Sequence, residues 1–162
     1  MDIYEFLHTH KIPYERYDHE AVFTCEQADL LSIPSSAAKT KNLFLRDRKG
    51  RRHFLVTVGA EKSVDIKAME GLLSVKGLSF ASEERLMQYL GLTPGSVTIL
   101  AVLNDPDHRV EVIVDEDLWQ CQSMQCHPLV NTSTLIMAVD DIRRFLAITG
   151  HEARVMRIPV RR

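Results

Sequence analysis

The chain has 162 residues, 45% of them hydrophobic and 26% charged, with a formal net charge of −2. That length suits one domain, 1–162, with its own core, and the balance excludes both a polycation and a disordered, highly charged chain. No apolar run approaches the roughly 18–20 residues of a membrane span. The start, Met1-Asp2-Ile3-Tyr4-Glu5, lacks a signal-peptide pattern, so the expectation is a cytoplasmic protein with no membrane contact.

In chain order, residues 2–10 predict a short helix with Ile3, Phe6 and Leu7 on one face, stopped at Lys11-Ile12-Pro13. Tyr14 to Asp18 alternates like a strand. Thr24 and Gln27 form a capping-box pattern for a helix through Leu31. Leu43-Phe44-Leu45 and His53 to Val58 flank the turn Arg46-Asp47-Arg48-Lys49-Gly50, which predicts a hairpin. A helix follows over 64–73. Another opens at Ser82-Glu83-Glu84, carries Leu86, Tyr89 and Leu90 inward, and ends at Gly91. The apolar run Val97 to Leu103 reads as a buried strand, and Val110 to Val114 as its return across Asn104-Asp105-Pro106-Asp107, giving a second hairpin. Asp115 to Trp119 suits one helical turn, 121–132 strand and loop, and Thr134 to Val139 a strand. Asp140 or Asp141 is the expected cap of a last helix ending at Gly150, and Ala153 to Ile158 is a final strand. Hairpins with interspersed helices predict an α/β domain on a mixed or largely antiparallel sheet.

Charge is uneven. Lys39, Lys41, Arg46, Arg48, Lys49, Arg51 and Arg52 crowd around one opposing residue, Asp47, and Arg154, Arg157, Arg161 and Arg162 close the chain. Such patches either sit solvated or bind a polyanion. Cys25, Cys121 and Cys126 have no framework spacing and read as free thiols. Cys121, Cys126 and His127 do not match a standard zinc spacing, so no metal is expected. No phosphate-loop or dinucleotide fingerprint and no nucleophile elbow occurs, so no cofactor is expected.

What remains is Lys41, at the head of an apolar strand beside Asn42. It is either a surface cation or a fixed charge for a carbonyl oxygen or phosphate. Gly91-Leu92-Thr93-Pro94-Gly95 either turns the chain or grips a polar group with exposed N–H groups. His127, held extended before Pro128, is a core or pocket histidine.

Taken together, Lys41-Asn42-Leu43-Phe44-Leu45-Arg46-Asp47, Gly91-Leu92-Thr93-Pro94-Gly95-Ser96-Val97-Thr98 and His127-Pro128-Leu129-Val130-Asn131-Thr132 resemble the trans-editing prolyl-tRNA deacylases. This YbaK-like superfamily includes the insertion domain of bacterial prolyl-tRNA synthetase, and the branch most like this chain is the Ala-tRNA(Pro) deacylases. The resemblance spans essentially the whole chain. It implies a single α/β domain on a mixed, mostly antiparallel, barrel-like sheet with helices outside. It implies hydrolysis of alanine wrongly esterified to the acceptor end of tRNA(Pro), with no cofactor. Prolyl-tRNA synthetase is the candidate protein partner.

The resemblance also carries the functional lysine onto Lys41 and pocket positions onto Asn42, Gly91, Thr93, Pro94, Gly95, Ser96 and His127. Lys39, Arg46, Arg48, Lys49, Arg51 and Arg52 are then expected to meet tRNA phosphates. Ile99-Leu100 and Leu135 replace residues common in relatives and are expected near the pocket wall. The alternatives are the same chemistry on serine, cysteine or 2-aminobutyrate, or a non-catalytic module that holds tRNA or a synthetase.

Overall fold

The computed structural model describes residues 2–24, 27, 33 and 35–161. Helix α1 (Ile3–Thr9) is capped by Asp2, whose carboxylate accepts from the N–H groups of Tyr4 and Glu5 at 2.8 and 3.2 Å. Strand β1 (Glu15–Asp18) follows, and then the hairpin β2 (Thr40–Arg46) and β3 (His53–Gly59), antiparallel with Asn42 opposite Thr57. Helix α2 (Ile66–Leu73), the two-residue β4 (Ser79–Phe80) and α3 (Glu83–Leu90) come next. Ser82 caps α3 through Arg85 N–H, and Gly91 ends it in a left-handed conformation.

The run 99–104 is a 3₁₀ helix, Ile99–Asn104, and not the expected strand. Thr98 starts it by accepting from Leu100 N–H at 3.3 Å, and Ile99, Leu100, Ala101 and Val102 are all buried. A short run that is apolar on every side has no period to separate helix from strand. The expected second hairpin is therefore absent. Strand β5 (Val110–Asp115) instead lies parallel to β3. The chain reaches it by a long crossover, as parallel neighbours require.

Beyond β5 lie α4 (Glu116–Trp119), β6 (Ser123–Cys126), β7 (Ser133–Ala138), α5 (Val139–Thr149) and β8 (Ala153–Met156). Neither Asp140 nor Asp141 caps α5: Ala138 takes that position without a side-chain bond. Both aspartates lie in the first turn and pair three residues on, with Arg143 at 3.0 Å and Arg144 at 3.2 Å.

The strands form two sheets, β4-β2-β3-β5-β8 and β1-β7-β6, and not a closed barrel. The ladders β3/β5 and β5/β8 are parallel and the other four antiparallel. The five-stranded sheet is buried on both faces. Phe44, Leu55, Val112 and Val114 join α1, α3, the 3₁₀ helix, α5 and β7 in one core, while Leu45, Phe54, Val56 and Ile113 pack with α2 and Ile158 in a second. Strand β3 is buried throughout. Two links tie the start of β2 to β6: a bridge between Ala38 and Met124, and the Thr40 hydroxyl donating to the Gln125 carbonyl at 2.6 Å.

Candidate active site

At the open end of β2 is a hollow of about 200 Å³ bordered by Thr40, Lys41, Asn42, Gly95, Val97 and His127, with Val22, Phe23 and Thr24 closing a third side. Four of the residues expected to act together, Lys41, Asn42, Gly95 and His127, thus meet at one place. Gly91, Thr93, Pro94 and Ser96, expected in the pocket, do not line it. Gly91 is the cap of α3, Thr93 and Pro94 are exposed, and Ser96 is buried with its N–H donating to the Thr93 carbonyl at 3.2 Å.

Each wall is held for a local reason. The Asn42 Oδ1 accepts from the buried Thr57 hydroxyl at 2.6 Å, across the β2/β3 pair. Among the described residues the Asn42 amide NH₂ has no hydrogen-bond partner. Gly95 has φ +90°, and a Cβ there would lie 2.9 Å from the Phe23 ring, so the position needs glycine twice over. The His127 Nδ1 lies 3.1 Å from the Ser133 carbonyl. A carbonyl only accepts, so Nδ1 carries the proton and Nε2 is the ring's acceptor. Burial holds the His127 pKa below the ordinary histidine value, opposed by the Ser133 bond and aided by nearby His19. The imidazole is therefore neutral at neutral pH.

The third side was not expected from sequence. Asn131 clamps it: its backbone carbonyl accepts from Val22 N–H at 3.2 Å and its amide donates to the Val22 carbonyl at 2.9 Å. His19 adds a bond from its N–H to the Thr132 carbonyl and one from its ring to the Thr134 hydroxyl. The Thr24–Gln27 pair was the one available signal. Gln27 N–H donates to Thr24 Oγ1 at 3.1 Å, and the Gln27 side-chain carbonyl accepts from Phe23 N–H at 2.8 Å. The helix expected through Leu31 lies outside the described residues.

Strand alternation sets Thr40 and Asn42 on the side of this hollow and Lys41 with Leu43 on the other. Lys41 borders both the first hollow and a second one beyond it. Lys39 lies at neither. It borders a separate recess with Lys62, which bonds Asp115 and Asp117.

Of the other expected cations, Arg46 braces the turn by donating to the carbonyls of Asp47 and Arg48. Arg52 makes a two-bond pair with Glu111 at 2.8 and 2.9 Å. Arg48, Lys49 and Arg51 are exposed. They occupy the far end of the hairpin, six or more residues from Asn42, or roughly 20 Å of extended strand. Ile99, Leu100 and Leu135, expected near the wall, are fully buried core residues, and Val97 lines the hollow instead. Cys126 is buried with its thiol 3.7 Å from the Met137 sulfur, and burial pushes its pKa up to about 12, so it stays protonated at neutral pH. Cys121 is exposed.

The frame and the hollow define a class: a small α/β protein that gathers a cation, an amide and a neutral imidazole around an open cleft with apolar walls, as suits an ester ligand. The chain belongs to the aminoacyl-tRNA editing domain family, whose profile matches residues 19–145. It is a hydrolase of the deacylase kind, with aminoacyl-tRNA as substrate. Among curated proteins it is 35% identical over 148 residues to the prolyl-tRNA editing protein ProX of Acetoanaerobium sticklandii, covering 91% of this chain and 90% of that one. It is 33% identical over 152 residues to the prolyl-tRNA synthetase associated domain-containing protein 1 of Danio rerio, covering 93% and 82%. In fold it is similar to the crystal structure of hypothetical protein APE2540, with TM-score 0.72 at 20% identity over 96% and 97% of the two chains. No helix among the described residues is long and apolar enough to cross a membrane.

Proposed function

We propose that this protein is a free-standing editing enzyme that removes alanine from tRNA(Pro), acting at the 3′-terminal adenosine. The observation that carries the reading is the meeting of Lys41, Asn42, Gly95 and His127, from three distant segments, around one hollow. Similarity to ProX supports the prolyl system.

Hydrolysis joins water to the ester carbonyl carbon. The bond to the ribose 3′ oxygen then breaks, that oxygen leaves as a hydroxyl, and alanine departs with its carboxylate. An aminoacyl ester is already activated, so donors aimed at the developing oxyanion suffice, each contributing about 3–4 kcal/mol. In this reading the Lys41 ammonium and the Asn42 NH₂ supply them, and a bound, oriented water adds a proximity gain. His127 Nε2 accepts a hydrogen bond from the ribose or the substrate's amino group. Its neutral state matters, because a second cation there would repel both Lys41 and the substrate ammonium. Prolyl-tRNA synthetase is the candidate partner that releases the mischarged tRNA.

The test is hydrolysis by purified protein of tRNA(Pro) charged in turn with alanine, serine, cysteine, 2-aminobutyrate and proline. Alanine should be removed fastest and proline spared. One methylene changes binding in an apolar pocket by only about 1–3 kcal/mol, so the ranking has to be measured. Faster loss of serine, cysteine or 2-aminobutyrate would move the substrate, and stability of all five esters would refute the activity.

A further inference from the structure

We propose that the second hollow, on the other side of Lys41, binds the single-stranded RNA just before the terminal adenosine, with Phe80 as a stacking platform for the adjoining cytidine. The proposal rests on the tRNA-editing reading above. The hollow, of about 380 Å³, is bordered by Lys41, Lys67, Arg161, Asp65 and Phe80 among others. Phe80 sits on the short strand β4 and is 60% exposed, a large ring left in water at the edge of a sheet.

Lys41, Lys67 and Arg161 have no ion-pair partner among the described residues. The carboxylate of Asp65 caps α2 by accepting from Ala68 N–H at 3.0 Å, which turns its charge to the helix end. The frame is fixed: Val64 pairs with Val160, Asp65 N–H donates to the Pro159 carbonyl at 2.9 Å, and Arg161 N–H to the Ser63 carbonyl at 2.8 Å.

Unpaired cations beside an exposed aromatic face are the arrangement that holds single-stranded nucleic acid, phosphates on the charges and a base on the ring. Continuity names the strand. Lys41 is common to both hollows, so an RNA end whose last nucleotide fills the first passes Lys41 and enters the second. The basic hairpin turn, at the opposite end of β2, cannot serve these nucleotides.

The experiment measures binding of an uncharged RNA stem-loop with the proline acceptor stem and a single-stranded CCA tail. A second RNA carries an abasic site at the cytidine before the terminal adenosine. The native protein should bind the abasic RNA roughly tenfold more weakly. Phe80→Ala and Phe80→Leu should bind both RNAs alike, and Phe80→Trp should restore the difference. The leucine variant keeps the apolar volume, so a folding defect cannot imitate loss of the aromatic face. Lys67→Ala with Arg161→Ala should flatten the slope of log affinity against log salt by roughly 1.4.

No abasic penalty in the native protein, the same penalty in Phe80→Leu, or an unchanged salt slope overturns the proposal. Uncharged RNA reports this hollow separately from ester hydrolysis, so a failure here leaves the deacylase reading standing, and the converse.

Discussion

Lys41 and His53 show how position along β2 and β3 decides what a charged group does. Lys41 is half-buried and borders both hollows, the second together with Leu43. His53, at the other end of the hairpin, is fully enclosed. It stacks on Tyr89 with ring centroids 3.9 Å apart and accepts from the Arg85 guanidinium at 3.1 Å. Burial, reinforced by Arg85 and Arg46, lowers its pKa to about 4. The unfolded chain binds a proton near the ordinary value of about 6.5. Stability is therefore fully present above that pH and is lost as pH falls toward 4. Between pH 7 and 4.5 this one group should cost on the order of 2–3 kcal/mol. Urea unfolding at both pH values checks it. His53→Phe should be less stable at pH 7, having lost the acceptor for Arg85, yet should lose less on acidification. An equal acid loss in variant and native protein would mean that other groups govern the pH dependence.

At the scale of elements, those with caps or a clean period were legible in the sequence. The hairpin, α1, α3 with Ser82 and Gly91, and the single turn α4 lie where their residues predict. The 3₁₀ helix and the parallel placement of β5 were not legible. Both concern segments that are largely apolar and buried, whose partners are set by tertiary packing and leave no local trace. The basic turn was legible as charge but not as charge available to RNA. Arg46 and Arg52 are engaged within the fold, whereas Arg48, Lys49 and Arg51 are exposed, and in the proposed function these three meet acceptor-stem phosphates. Neutralising these three together should weaken binding of tRNA and flatten its salt dependence by up to roughly 2–3 in log–log slope, while Arg52→Ala should act mainly on stability through Glu111. A titration of affinity against salt decides it. An unchanged slope in the triple variant would place the stem elsewhere.

On the scale of the whole molecule, the candidate site was legible as three motifs, and no local rule supplies the place where Lys41, Asn42, Gly95 and His127 meet. The crossover between β3 and β5 brings Gly95 to the head of β2, and the β6–β7 connection brings His127 there. The wall formed by Val22, Phe23 and Thr24 stayed hidden, because it is held by Asn131, more than a hundred residues away. The two lysines illustrate the same limit. Lys39 and Lys41 would share a face of an ideal strand, yet they border different hollows because β2 begins only at Thr40. The proposed hydrolysis depends on Lys41 acting at the ester. Its most direct test is single-turnover hydrolysis of Ala-tRNA(Pro) with saturating enzyme, comparing the native protein with Lys41→Ala, Lys41→Arg and Lys39→Ala. Lys41→Ala should lower the rate roughly a hundredfold or more with its thermal midpoint nearly unchanged, and Lys41→Arg should recover only part, since a planar guanidinium does not replace a compact ammonium. Near-native turnover by Lys41→Ala, with the loss appearing in Lys39→Ala instead, would contradict the account and move the chemistry to the recess beside Lys62.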